Sequence, residues 1–169
     1  DICSWSFESS KHMSCGEGGI ITTNNEKYAE MARKVAGHGY KNLRAKDGQI
    51  KLNQNIYQDP NYKRHNEVGW NYRLSEISAA VALAQLETLD EKVCNRMKVA
   101  EIFLEAIEEC DYLTPQKTPT GVENSYFTLA LLYDGLEKIG VSWQEFREKY
   151  VEFGGDGFYG AWSVPYLEP

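Results

Sequence analysis

The stretch Ser6-Phe7-Glu8-Ser9-Ser10-Lys11-His12, followed by Gly16-Glu17-Gly18-Gly19, decides the reading of this chain. On its N-terminal side, Ile2 to Phe7 is short, apolar and aromatic and reads as a buried strand. The polar run Glu8 to Ser14 then reads as a loop, and the β-branched Ile20 to Thr23 as a second strand. A lysine at such a strand-to-loop junction, among small residues, can be held in a cleft. There desolvation or a neighbouring positive charge makes its amine a nucleophile. Ser6 is placed to hydrogen-bond a phosphate, and the glycines allow the backbone to pass close to a ligand. Read alone, the same stretch also fits a solvated surface lysine beside glycines.

Outward from this stretch, Asn24 or Asn25 caps a helix that runs to about Ala36 and closes at Gly37, with Tyr28, Met31, Ala32 and Val35 at helical spacing. Gly39 to Gly69 is polar, contains Pro60 and has no sustained periodicity. Its Lys41, Arg44, Lys46, Tyr57, Tyr62, Lys63, Arg64 and His65 suit an anionic ligand, and equally a solvated loop. Ser75 opens a helix with Ile77, Ala80, Val81, Ala84, Leu86 and Leu89 on its apolar side. The pattern continues to Cys110, about 50 Å at ~1.5 Å per residue, so it either links two lobes or bends near Asp90. Beyond Pro115 and Pro119, Asn124 to Tyr133 reads as a strand. Ser142 caps a helix from Trp143 to Phe153 that ends at Gly154 and Gly155. This last part has the pattern of a small α+β lobe.

With 18 Lys and Arg scattered among 25 acids, a formal charge of -7 and a pI near 5.0, the chain has no basic block to track a nucleic-acid backbone. No apolar run approaches the roughly 18 to 20 residues that span a bilayer, so a cytoplasmic location is the default expectation. Cys3, Cys15, Cys94 and Cys110 form no C-x-x-C pair, which predicts packed, reduced thiols and no metal site. No G-x-S-x-G elbow is present, and no nucleophile motif places His12, His38 or His65 for a hydrolase.

Ser6 to His12 with Gly16 to Gly19 resembles the Schiff-base segment of the DegT-type family, aminotransferases that use pyridoxal 5'-phosphate (PLP) and act on nucleotide-linked keto sugars. Gly69-Trp70-Asn71-Tyr72-Arg73-Leu74-Ser75-Glu76, followed by Ala79-Ala80 and Gln85-Leu86, resembles the second signature of the same family, in the same order. The resemblance implies an α/β chain of the fold-type I PLP-dependent transferase class. Residues 1–74 would belong to the large PLP-binding lobe, 75–113 to a long connecting helix and 114–169 to an incomplete small lobe. It implies that Lys11 is catalytic and forms the Schiff base with PLP, that Ser6 binds the PLP phosphate, and that Asn71 reaches that phosphate from the neighbouring subunit of a homodimer. Its expected partners are a nucleotide-sugar substrate and an amino-acid amine donor, glutamate by family expectation. Tyr72 and Arg73 match the motif without an assigned role, Arg73 as a possible anchor for the helix at Ser75.

The resemblance also implies parts that lie outside this sequence. In the family, an Asp that pairs with the pyridine nitrogen and an aromatic ring that stacks on the cofactor precede the lysine by a long stretch. This chain starts ten residues before Lys11, and Asp1 is not that Asp. The absence of an initiator Met and the end at Pro165 to Pro169 fit a fragment that is inactive by itself. A related branch carries histidine in place of the lysine and removes a sugar hydroxyl; Lys11 favours transamination, and the adjacent His12 is out of register. A non-catalytic fragment that keeps only the dimer surface is the other alternative.

Overall fold

Ile2–Ser6 (β1) and Gly19–Thr23 (β2) pair antiparallel, with Ile2 opposite Thr23 and Ser6 opposite Gly19, in the computed structural model, which describes residues 1–158. The expected buried strand is open instead. Ile2 keeps 53% of its exposure and Trp5 58%, because a two-stranded ribbon with one helix beside it has no layer to cover the rest. That helix, α1 (Glu26–Ala36), starts where Asn25 accepts hydrogen bonds from the backbone of Lys27 and Tyr28. Arg33 and Lys34 occupy its last turn, where the exposed carbonyls favour positive charge. Lys34 is buried and pairs with Glu30 at 2.7 Å.

The segment read as irregular contains a small hairpin, β3 (Leu43–Arg44) with β4 (Gly48–Gln49), and one short helix, α2 (Gln54–Gln58). Ser75 then caps α3 (Glu76–Leu86), its hydroxyl accepting from the Ser78 backbone. The long helical pattern is broken at Glu87 and Thr88, and α4 (Leu89–Ala106) follows. Both the backbone N–H and the hydroxyl of Thr88 bond the Gln85 carbonyl at 3.3 Å, which tightens the turn and takes that acceptor out of the helical ladder. The inward face of α3 also differs from the expected one. Ala82 is buried, whereas Ile77 is 80% exposed, because a helix that is apolar nearly all round does not by itself choose a face.

The chain divides into two compact units, Asp1–Lys92 and a second that begins at Val93. In the second, β5 (Leu113–Pro115) pairs antiparallel with β6 (Leu131–Tyr133). The strand expected from Asn124 is therefore confined to its last three residues. The Asn124 side chain accepts from the Tyr126 backbone, and Tyr126 has φ +46°, a turn that a strand cannot contain. A short helix, α5 (Gly135–Ile139), precedes α6 (Trp143–Glu152), which opens on a reciprocal cap between Ser142 and Glu145. Val99, Phe103, Leu131, Trp143 and Phe146 line an apolar cavity of about 640 Å³ in this unit.

Among the described residues the buried apolar side chains are Phe7, Ala82 and Ala100. All four cysteines are free, and Cys3 and Cys94 are exposed where packed thiols were expected. No described helix is long and apolar enough to cross a membrane. Pro165 to Pro169 and the end of the expected small lobe lie outside the described residues.

Candidate active site

Phe7 ends β1 and anchors the loop that carries Lys11. Its N–H donates to the Gly18 carbonyl at 2.8 Å, and its own carbonyl accepts from Cys15 N–H at 3.1 Å and the Ser14 hydroxyl at 3.0 Å. Residues 8–14 thus close over a buried ring. Within the loop, Glu8 connects the two residues that the sequence singles out. Its N–H donates to Ser6 Oγ at 3.3 Å, and its carbonyl accepts from the Lys11 N–H at 3.1 Å. The Ser6 hydroxyl hydrogen remains available to an anion.

Lys11 Nζ lies 4.0 Å from a Glu8 carboxylate oxygen, and its side chain keeps 37% of its exposure. A carboxylate thus stands at the edge of ion-pair range of Lys11, beside the desolvation or positive charge that the sequence reading invokes. The Glu8 carboxylate also accepts from the Ser9 and Ser10 hydroxyls and the Ser10 N–H. These bonds, those of the Ser10 and Ser9 hydroxyls first, hold its pKa down to about 2, and the charge of Lys11 contributes least. The pair is solvent-facing and adds little to stability.

The second signature is tied to the end of α1. Trp70 N–H and Tyr72 N–H donate to the carbonyls of Val35 and Ala36 at 2.7 and 2.9 Å, which otherwise lack helical partners. His38 N–H returns a bond to the Trp70 carbonyl at 2.8 Å, and Gly37 bridges to Asn71. Gly69 permits this approach, since a Cβ there would lie 2.2 Å from the Gly39 nitrogen. The two signatures meet where Leu74 passes Gly18, at which a Cβ would lie 2.8 Å from Leu74 Cδ1.

The structure thus brings Ser6 and Lys11 together through Glu8. Asn71 is exposed, and its side-chain oxygen accepts from Arg73 Nε at 2.9 Å rather than meeting Ser6 or Lys11. Arg73 Nη2 lies 3.2 Å from His38 Nε2, so Arg73 turns away from the start of α3. In the segment before Gly69, Tyr40 stacks on His65, Lys41 stands over Tyr62, and Arg64 over Tyr57. Sequence reasoning passed over Glu8 and His38. A carboxylate three residues before the lysine, and a histidine between Gly37 and Gly39 at a helix end, were the available signals.

The lysine amine and serine hydroxyl, held by one intervening residue beside glycines, suit a cofactor that carries both an aldehyde and a phosphate, and PLP is such a group. Residues 1–154 match the DegT/DnrJ/EryC1/StrS aminotransferase family, and the chain belongs to it. It is 30% identical over 149 residues to the putative pyridoxal phosphate-dependent aminotransferase EpsN of Bacillus subtilis, covering 88% of this chain and 34% of that protein. It is 36% identical over 100 residues to a GDP-perosamine synthase of Caulobacter vibrioides, covering 59% of this chain and 22% of that protein. Among solved structures, the E. coli GDP-4-keto-6-deoxy-D-mannose-3-dehydratase with bound hydrated PLP superposes with a TM-score of 0.72 at 24% identity. That superposition covers 90% of this chain and 38% of that one, and it shows the fold alone. The chain spans 34% and 22% of the length of these two curated relatives. Its mixed α/β fold is that of fold-type I enzymes of the family over part of their length.

Proposed function

We propose that the full-length protein is a PLP-dependent aminotransferase that moves an amino group, with glutamate as donor, to a nucleotide-linked keto sugar. Within it, residues 1–74 serve as part of the cofactor lobe, 75–113 as a connecting helical segment and 114–169 as part of a small lobe. One observation carries the reading: Lys11 of the family signature sits on a loop closed over Phe7, and Glu8 ties its backbone to the Ser6 hydroxyl.

Bound PLP supplies an electron sink for the carbon that exchanges nitrogen. Lys11 Nζ would anchor the cofactor and hold and move a proton at that carbon. The Ser6 hydroxyl donates to the phosphate, and the Asn71 amide donates to the phosphate of the neighbouring subunit. The aromatic and basic side chains between Tyr40 and His65 face the charged nucleotide-sugar substrate. Dehydration of the sugar, the other chemistry of the fold, is disfavoured because residue 11 is a lysine able to hold the cofactor covalently.

The test is made on the full-length protein. Addition of PLP is expected to produce the visible absorption band of lysine-bound cofactor, and borohydride reduction should fix its mass on the Lys11 peptide. Lys11→Ala should abolish both, together with glutamate-dependent amination of a nucleotide-linked keto sugar. A band retained in Lys11→Ala, or label on another lysine, would overturn the assignment.

A further inference from the structure

Arg73 belongs to the second signature, yet the chemistry above gives it no task. Its contacts do. Arginine has only N–H donors, so the 2.9 Å contact from Nε selects the oxygen of the Asn71 amide and thereby fixes which way that amide is turned. The Nδ2 group is left on the other side, and no other described residue engages it. The same argument applies at the far end of the guanidinium. Nη2 can only donate, so the 3.2 Å contact suits the imidazole tautomer whose Nε2 accepts.

The backbone holds this row of three in place. His38 adopts φ +63°, a conformation uncommon outside glycine, directly after the helix-ending Gly37. It is kept there by its bond to Trp70, while Trp70 and Tyr72 cap α1 on either side of Asn71. His38 and Arg73 are thereby brought together across 35 positions of sequence. A site built only to start α3 has no need of such an arrangement, since Ser75 already caps that helix.

We propose that Arg73 is a positioning residue for phosphate recognition: it clamps Asn71 by its oxygen so that the amide presents N–H donors to the cofactor phosphate, and His38 braces the clamp. This rests on the reading in which Asn71 serves that phosphate. Without Arg73 the Asn71 amide is not held in advance, and the anion has to orient it on binding. Part of the hydrogen bond's contribution is then spent on ordering the side chain.

The experiment compares binding of PLP with binding of pyridoxal, which has the aldehyde and lacks the phosphate, to the full-length protein. Dissociation constants come from the visible absorption of the bound aldehyde. Arg73→Ala is expected to weaken PLP on the order of tenfold, the scale of one hydrogen bond to a charged group, and to leave pyridoxal unchanged. Arg73→Lys keeps a donor toward Asn71 and should restore much of the loss, while Arg73→Met, of similar length and without a donor, serves in place of Arg73→Ala if that variant does not fold. The double variant Arg73→Ala, Asn71→Ala should bind PLP no more weakly than Asn71→Ala alone. Equal weakening of PLP and pyridoxal by Arg73→Ala, or fully additive losses in the double variant, would overturn the proposal. So would a loss confined to affinity for glutamate or the sugar substrate. If Asn71→Ala leaves PLP affinity unchanged, the phosphate role of Asn71 itself falls. If Asn71→Ala weakens PLP and Arg73→Ala does not, that role stands and the clamp alone is refuted.

Discussion

Glu8 occupies the position between Ser6 and Lys11, and its ionisation is set by the loop it belongs to. Its carboxyl is lowered from 4.5 to about 2, chiefly by the Ser10 and Ser9 hydroxyls. A depressed carboxyl favours the folded loop above the unfolded value, and that contribution disappears as the pH falls through about 2. At neutral pH the loop order is therefore insensitive to small changes in acidity. In carboxyl-labelled protein, the Glu8 resonance is expected to titrate near 2, and Ser10→Ala should move its midpoint up toward 4.5; an unmoved midpoint would show that the serines do not hold it. At this scale the sequence names candidates. Ser6, Lys11 and Asn71 are marked by motifs with fixed spacing. Glu8 and His38 were not, because their importance arises from contacts: a hydroxyl pair closing on a carboxylate, and a positive φ that carries His38 to Arg73.

Helix ends were the most readable elements, since a cap is a local event. Asn25, Ser75 and Ser142 each accept backbone hydrogen bonds from the first turn they precede. The misread elements share a different cause. Thr88 and Asn124 use side chains to bond nearby backbone, which breaks the long helical pattern at Thr88 and makes a turn where the strand was expected to begin. The segment before Gly69 lacks periodicity because its order comes from bonds across it, Lys41 N–H to Arg64 O and Asn66 N–H to Gly39 O, and from Gly39 N–H to Lys34 O of α1, rather than from a repeat. Gly69 is where those bonds need room. Gly69→Ala places a methyl against the Gly39 nitrogen and the His38 carbonyl carbon, both backbone atoms unable to swing aside. The expected loss is about 1–3 kcal/mol or more in denaturant unfolding of the full-length protein, the range for overpacking. A change under about 0.5 kcal/mol, the level of a neutral surface substitution, would show that the approach relaxes easily.

For the molecule as a whole, exposure is the dominant fact. The chain is 42% apolar, yet Ile20, Ile21, Leu83, Leu86 and many like them remain about half exposed or more among the described residues. The family's longer relatives have further chain to set against such surfaces. If Asn71 acts across a dimer, two inactive full-length variants should complement each other. Lys11→Ala mixed with Asn71→Ala should recover about a quarter of wild-type activity: half of randomly exchanged dimers are mixed, and each has one intact site of two. No recovery after demonstrated subunit exchange would argue that both residues act within one chain or that Asn71 is not a site residue. The β1–β2 ribbon has its own consequence for this chain in isolation. Among the described residues each of its five-residue strands has one partner, which leaves an outer row of backbone donors and acceptors beside Ile2, Trp5, Ile20 and Ile21. Such a row is a template for strand addition, by the remainder of its own polypeptide or by another molecule. Expressed alone, the chain is poised to assemble edge to edge into β-rich aggregates, at a rate that rises steeply with its concentration.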